Sequence, residues 1–414
     1  MSMLVRIAYR NIRRNARRTV LCIVAVGIAV FFSIFMQSMI DGMTAGIEKV
    51  VQVFDTGHVM MTSKDYVAEK EYYPAYYPVA DGMAFAEIEA AVKAIPHVKA
   101  VLPRIMVFAT LQDSTKKHAL LWGISIEDEK KAHDFNLTKK SDGLIAGRYP
   151  EPGANECIIG AAMAQKTGLQ IGDRIPLKTV SAQFSDKMWN PQVTGIFTFD
   201  YLRYDEDVIL VSIDRLQRLL VLGDAVQQVA VFAERPQDSG VVAAAMAGMF
   251  GEDNVIERWE DNYFVAVMRS FLPLYTLIYL VFVVVASFLI INTVLMIIHE
   301  RIKEIGMMGS LGMTRREIVS VFFYEALFLA ALGSLAGCFV GGLSTFILSF
   351  FPVDFNVMTG GGFKEMPMTG TIFMTFSPPM IVQGFFFGVI VAGICTLIPS
   401  LKSAFIEPVE ALRR

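Results

Sequence analysis

Charge is scarce in this sequence, and cysteine is scarcer. Only 19% of its 414 residues are charged while 54% are hydrophobic, and the mean hydropathy is +0.47. That balance argues against an ordinary soluble enzyme of this size and makes a membrane protein the first reading. Three of the four cysteines, Cys22, Cys338 and Cys395, fall in apolar runs, which leaves Cys157 alone in the polar middle and excludes a disulfide framework there. The phosphate-cradling pattern G-x-x-x-x-G-K-[ST] is missing, and Gly360-Gly361-Gly362 has no strand–helix context to replace it. The five histidines, His58, His97, His118, His133 and His299, show no H-E-x-x-H or other ligand spacing and read as isolated surface residues. No G-x-S-x-G is present either, so no catalytic centre and no metal are expected in this chain.

Long uncharged runs are what the sequence does have. Residues 19–40, 270–298, 326–353 and 366–401 each exceed the roughly 20 residues of helix that cross a bilayer. The first run ends at Asp41-Gly42 without an A-x-A-like site, so it reads as an uncleaved anchor. Positive charge in short loops sets orientation. Arg6, Arg10, Arg13, Arg14, Arg17 and Arg18 precede the first run; Arg301, Lys303, Arg315 and Arg316 follow the second; Lys402, Arg413 and Arg414 follow the last. Both termini and the 299–317 island are therefore expected in the cytoplasm. The resulting plan is a basic interfacial helix over 1–18, spans at 19–41, 270–298, 318–350 and 379–401, outer segments at 42–269 and 351–378, and a cytoplasmic tail at 402–414.

Residues 41–270 hold 23 basic and 32 acidic residues, a formal −9, so nucleic acid is an unsuitable partner for the outer domain. Strand-like runs at 57–61, 98–102, 105–111 and 119–124 surround a helical pattern at 84–95. Further strands at 156–160, 174–180, 192–199, 207–212 and 227–233 alternate with helices at 161–167, 213–222 and 241–250. We read a split α/β unit holding a β-rich insert over about 112–224. The fold class is thus an α-helical integral membrane protein with four transmembrane helices and a large extracytoplasmic α/β (α+β) domain containing a β-rich inserted subdomain. The proline-restricted aromatic loop at 72–78 either packs over the domain edge or meets a partner.

In the first span, Ala25, Ala29 and Ser33 are small enough for a neighbouring helix to approach, whereas Phe31, Phe32, Phe35, Met36 and Met39 form a bulky, adaptable surface. A helix is expected from 259 to 269, continuing as a stalk into the second span. That span's outer part carries Phe271, Leu274, Tyr275, Ile278, Tyr279 and Phe282. These two sets read either as lipid-facing filler or as walls of a greasy substrate groove. Gly333, Gly337 and Gly341 in the third span, with Gly384 and Gly388 in the fourth, mark close helix packing. Glu325 is an intramembrane acid that needs a partner or a proton, and either a structural or a proton-moving role fits it.

Between the second and third spans lies a charged island with Ile302, Ile305, Met308 and Leu311 at helical spacing. Gly312 ends that helix, and Thr314 with Glu317 is a capping-box signature for the next. A short surface helix joined tightly to a span suits contact with another protein.

Glu300-Arg301-x-Lys303-Glu304-Ile305-Gly306, Leu311-Gly312, Arg316-x-Ile318 and Glu325 resemble the cytoplasmic loop and following helix of the FtsX-like permeases of ABC transporters. Gly147-Arg148, Ile159-Gly160, Ala164, Gly168-Leu169, Gly172-Asp173 and Val193-x-Gly195-Ile196-Phe197 are similar to that family's periplasmic domain, and Pro399 with the 408–413 segment to its tail. Within the family, the lipoprotein-releasing (Lol-type) and MacB-type members match the layout best. The resemblance implies that the island, with Met308, is a coupling helix on a cytoplasmic ATPase dimer. ATP and Mg would be bound by that separate subunit, with no cofactor in this chain. It also implies a second permease chain, the same or homologous, and a periplasmic acceptor, all in the bacterial inner membrane. The MacB type has its ATPase fused at the N-terminus, whereas this chain starts 18 residues before its first span. That favours lipoprotein release, with acyl chains held between spans one and two. Export of a peptide or small hydrophobic compound, or ATP-driven activation of a periplasmic hydrolase, uses the same scaffold.

Overall fold

The computed structural model describes residues 16–112, 118–136, 142–300, 302, 307, 310, 312–351, 353–354 and 371–404. Helix α1 (Ala16–Val50) leads through a π-helical turn (Val51–Asp55) to strand β1 (Val59–Ser63). Next come α2 (Lys64–Ala68), α3 (Phe85–Lys93), β2 (Val98–Leu111), β3 (His118–Ile124), α4 (Ile126–Ala132), β4 (Leu144–Gly147), β5 (Glu156–Gly160) and α5 (Ala161–Thr167). A hairpin of β6 (Leu177–Val180) and β7 (Asp186–Trp189) precedes β8 (Gln192–Phe197), α6 (Leu202–Asp207), β9 (Val208–Ser212) and α7 (Ile213–Leu220). Then follow β10 (Gln228–Ala233), α8 (Ser239–Phe250), β11 (Asn254–Arg258), α9 (Tyr263–Glu300), α10 (Arg315–Phe350) and α11 (Pro378–Ala404). Among the described residues, α1, α9, α10 and α11 are the four helices long and apolar enough to cross a membrane.

The chain divides into two compact units. In the membrane unit, small residues decide the packing. Val26, Val30 and Ile34 of α1 are buried, and five glycines of α10 and α11 face them. A Cβ placed on Gly333 would stand 2.7 Å from Val26 Cβ, one on Gly337 2.5 Å from the Gly27 carbonyl, and one on Gly341 3.3 Å from Ile34 Cβ. On α11, a Cβ on Gly384 would stand 2.8 Å from Ile34 Cγ1, and one on Gly388 would collide with Val30 and Ser334. Such contact replaces the hydrophobic drive that lipid cannot supply between helices. At the far end, Ser38 Oγ donates to the Thr375 carbonyl at 2.9 Å. The capping box is present: Thr314 accepts from the Glu317 amide, and Glu317 Oε2 accepts from the Thr314 amide at 2.8 Å.

The second unit, dominated by Thr44–Ser270, is one eleven-stranded mixed sheet in the order β11-β1-β10-β2-β3-β9-β5-β8-β4, with β6 joined to β2 and β7. The strands expected in the 112–224 insert extend this same sheet; β9 lies parallel to β3 and β8 parallel to β5. Strand alternation gives it two apolar faces. Ala119, Leu121, Cys157, Ile159, Ile209 and Val211 point to one face, under α3, α7 and α8. Those helices present Ile88 and Val92, Leu216 and Leu220, and Val242 and Met246, each pair at helical spacing. Gly123 lets α7 come close, since a Cβ there would lie 2.7 Å from Leu216 Cδ2. Leu120, Trp122, Ile124, Ile158, Val208 and Leu210 point to the other face, which is filled by aromatic rings.

Several expectations need correction. Strands 98–102 and 105–111 are one strand, because Arg104 is not a solvated turn residue but is buried at 1% exposure and paired with Glu129. Arg104 Nε and Nη2 donate to Glu129 Oε1 and Oε2 at 2.7 and 2.9 Å, and Nη2 also donates to the Val53 carbonyl at 2.8 Å. His133 is not an isolated surface residue; its Nε2 meets Glu129 Oε2, and His58 Nδ1 accepts from the Ala233 amide at 2.9 Å. Nor does the stalk helix begin at 259. Residues Trp259–Asp261 form a 3-10 turn, and α9 starts after Asn262, whose Oδ1 accepts from the Phe264 amide at 3.0 Å. Helix α1 itself continues to Val50, beyond the span expected over 19–41, and Ile47 and Val50 on it are buried. The interfacial helix proposed over 1–18 lies almost wholly outside the described residues.

Two predictions follow from these contacts. Gly337→Leu is expected to cost at least about 1–3 kcal/mol through overpacking against α1, read as a lower Tm of the detergent-solubilised protein. Gly393→Ala, where nothing lies within 4 Å of the new Cβ, should leave Tm unchanged or slightly higher. Arg104→Met strands the Glu129 carboxylate and should cost about 3–5 kcal/mol. Burial by itself raises a carboxyl, but the Arg104 charge and the bonds from His133 and Arg104 outweigh it and hold Glu129 at about 2. Its contribution is therefore complete above the unfolded carboxyl value near pH ~4 and is lost as pH falls toward 2. Glu129→Gln should lack that acid-labile component; parallel acid melting curves for the two proteins would refute the assignment.

Candidate functional site

A set of polar and aromatic contacts in the second unit surrounds the places where the polypeptide leaves α1 and enters α9. In the π-helical turn at Val51–Asp55, side chains from β2 and α6 take two of the backbone carbonyls. Arg104 holds the Val53 carbonyl, and Tyr204 Oη donates to the Phe54 carbonyl at 2.8 Å. The Phe54 ring stacks on Phe199 at 5.2 Å and packs against Tyr204 at 4.8 Å and Trp122 at 6.0 Å. Asn262 Nδ2 donates to Asp55 Oδ2 at 2.6 Å while the same amide caps α9. The last residue of one connection thus grips the first residue of the other.

A cavity of about 190 Å³ lies at this junction, lined among others by Phe54, Asp55, Lys70, Tyr73, Arg203 and Glu257. Asp55 raises the Lys70 ammonium above its ordinary value, and burial raises the Glu257 carboxyl. Burial also pushes the Cys157 thiol up, so it is a poor nucleophile. Among the described residues, no three His, Cys, Asp or Glu side chains could hold a metal together. At the junction Lys70 lies 4.0 Å from Glu257, Asp55 is held by the Asn262 amide, and the Phe54, Trp122, Phe199 and Tyr204 rings pack against one another.

The residues singled out from the sequence lie elsewhere. On α1, Phe31 packs against Phe32 at 5.3 Å and Phe35 at 5.7 Å, with Met36 and Met39 half-buried on the same helix. On α9, Phe271, Leu274 and Ile278 are exposed and Tyr275 is half-buried, whereas the side chains of Tyr279 and Phe282 lie outside the described residues. Glu325 is buried at 6% exposure, close to where Cys22 packs on Leu329. Of the coupling set, Arg301, Lys303, Glu304, Ile305, Gly306, Met308 and Leu311 lie outside the described residues, as does the Glu300 side chain. Gly312 is described, with φ +92, the left-handed geometry that stops a helix. Sequence reasoning did not find Asp55, Arg104, Tyr204 or Asn262. The available signals were a Pro103-Arg104 pair interrupting an apolar strand and an asparagine at the head of an apolar run.

Comparison with known proteins places this geometry in a family. A model of the MacB-like periplasmic core domain matches residues 19–249, and a model of the FtsX-like permease C-terminal region matches residues 276–408. The lipoprotein-releasing system transmembrane protein LolC of Xylella fastidiosa is 21% identical over 339 residues, covering 77% of this chain and 78% of that one. LolC of Haemophilus influenzae is 26% identical over 297 residues, covering 70% of each chain. The macrolide export ATP-binding/permease protein MacB of Nitrobacter winogradskyi is 27% identical over 214 residues, which is 51% of this chain and 28% of that longer one. With one family model spanning more than half of its residues and a second covering its last spans, the chain belongs to the FtsX-like permeases of ABC transporters, in the Lol/MacB type that carries a MacB-like periplasmic core domain.

Proposed function

We propose that this permease passes ATP-driven motion from a separate cytoplasmic ATPase dimer to its periplasmic domain, and that the motion releases lipid-anchored proteins from the inner membrane. Both termini and the 299–317 loop are then cytoplasmic, a placement that the positive charge of those segments supports. The loop is the coupling element, with Glu300, Arg301, Lys303 and Glu304 as its polar contacts and Ile305, Met308 and Leu311 as its apolar face. The supporting observation is the junction. Arg104 holds the Val53 carbonyl just after α1, and Asn262 just before α9 holds Asp55, contacts within the sheet unit that support a firm attachment for both connections. A second permease chain, the same or homologous, completes the assembly, and a periplasmic acceptor receives the cargo. Similarity to LolC over most of both chains favours a lipoprotein, whose acyl chains would lie against Phe31, Phe35 and Met39 of α1 and Phe271 and Tyr275 of α9. Export of a peptide or small hydrophobic compound is the second reading, favoured by the shorter match to MacB.

Substituting the two ends of the lever separates these steps. Gly306→Pro or Leu311→Asp should weaken co-purification of the ATPase and abolish release. Phe35→Asp or Tyr275→Asp should block release of a reconstituted lipoprotein while leaving ATPase binding intact. Unchanged release in both groove variants would remove the acyl-groove assignment, and unchanged ATPase association in both loop variants would remove the coupling assignment.

A further inference from the structure

A second, larger cavity in the periplasmic domain takes no part in the lever. It is an open cleft of about 670 Å³, within the size range of ligand sites. Six separate segments line it: the starts of α3, α4 and α7, Pro103 of β2, the 149–152 loop, and the turn at Asp224. Phe85, Pro103, Ile124, Ile126, Pro150 and Ile213 give it an apolar lining. Five carboxylates, Glu127, Asp128, Glu151, Asp214 and Asp224, face it against a single cation, Lys130. That cation is already engaged, with Nζ 3.0 Å from Asp142 Oδ2 and 3.8 Å from the Tyr149 ring centroid. Among the described residues, no ion pair neutralises Glu127, Asp214 or Asp224; Asp214 has only the Ser212 hydroxyl, at 3.4 Å.

The arrangement of the charges selects the occupant. The five acids are spread over four segments, Glu127 and Asp128 sharing α4, and among the described residues they form no group that could hold a metal ion. Separated carboxylates above an apolar floor match a ligand with several separated cations and apolar side chains between them. A cleft with low-dielectric walls also concentrates the field of such charges. We propose that this cleft binds an extended basic polypeptide segment of a partner protein, with Lys or Arg side chains on the rim and apolar side chains on the floor. The site is independent of the acyl groove and of the nucleotide cycle.

A fluorescein-labelled synthetic peptide of alternating lysine and leucine, titrated into the full-length detergent-solubilised protein and followed by anisotropy, tests this. Binding should weaken with added salt and fall about tenfold or more in Glu127→Lys/Asp214→Lys/Asp224→Lys, in line with three exposed charge contacts. A control of equal charge change on the same domain, Glu234→Lys/Glu252→Lys/Asp253→Lys, should bind as the unaltered protein does. No binding of the lysine–leucine peptide, equal loss in the control, or equally tight binding of a glutamate–leucine peptide would each overturn the proposal. Because the readout needs no ATPase and no lipoprotein, failure here leaves the release reading untouched, and failure of release leaves this one untouched.

Discussion

One buried cation ties the exit of α1 to the sheet of the periplasmic domain. The Arg104 guanidinium bridges the Glu129 carboxylate and the Val53 carbonyl, and it lies 5.5 Å from the Trp122 ring. Burying a charge is costly unless every partner is in place, so the arrangement tolerates few alternatives. The carboxylate must come from α4, the carbonyl from the end of α1, and the aromatic surface from β3. A hydrophobic residue at 104 would fill the space without specifying which turn of α1 meets the sheet. The ion pair acts as a register pin, and the Phe54 ring cluster supplies the apolar burial around it.

The membrane unit follows a different logic. Inside a bilayer the gain from association is packing, and packing between helices is limited by the largest side chain at the crossing. Gly333, Gly337, Gly341, Gly384 and Gly388 all place backbone where α1 presents Val26, Val30 or Ile34. One helix is thereby clasped by two. By contrast, α9 is the least buried of the four membrane helices, with Leu277, Val281, Val284 and Phe288 exposed along it. An apolar surface of this extent needs either lipid or another protein over it, and a second permease chain is one such cover.

Much of this was legible in the sequence, for identifiable reasons. Uncharged length gives a helix that crosses a membrane, small-residue spacing marks close helix contact, and Thr314 with Glu317 encodes its own cap within four residues. These are local signals. The edge-to-edge order of the sheet and the junction at Asp55, Arg104, Tyr204 and Asn262 were not legible, because each involves partners far apart in the chain. Arg104 is the clearest case: in a linear reading an arginine after a proline breaks a strand, and only a glutamate twenty-five positions later makes it a core residue. Likewise α9 begins at Tyr263 and not at Trp259, because the Asn262 side chain, invisible to hydrophobic periodicity, caps the helix there.

The position of β1 carries a consequence for how the protein is made. This first strand pairs on one side with β10 and on the other with β11, the last two strands of the sheet in sequence. While the chain is being threaded across the membrane, β1 therefore has neither neighbour until almost the whole domain has emerged. Long-range pairing of this kind is slow to form and leaves apolar strand edges open meanwhile. Val59, Met60 and Met61 would wait exposed beside a bilayer already holding the helix they follow. Closing the sheet around β1 is accordingly among the last pairing events open to the chain as it is made.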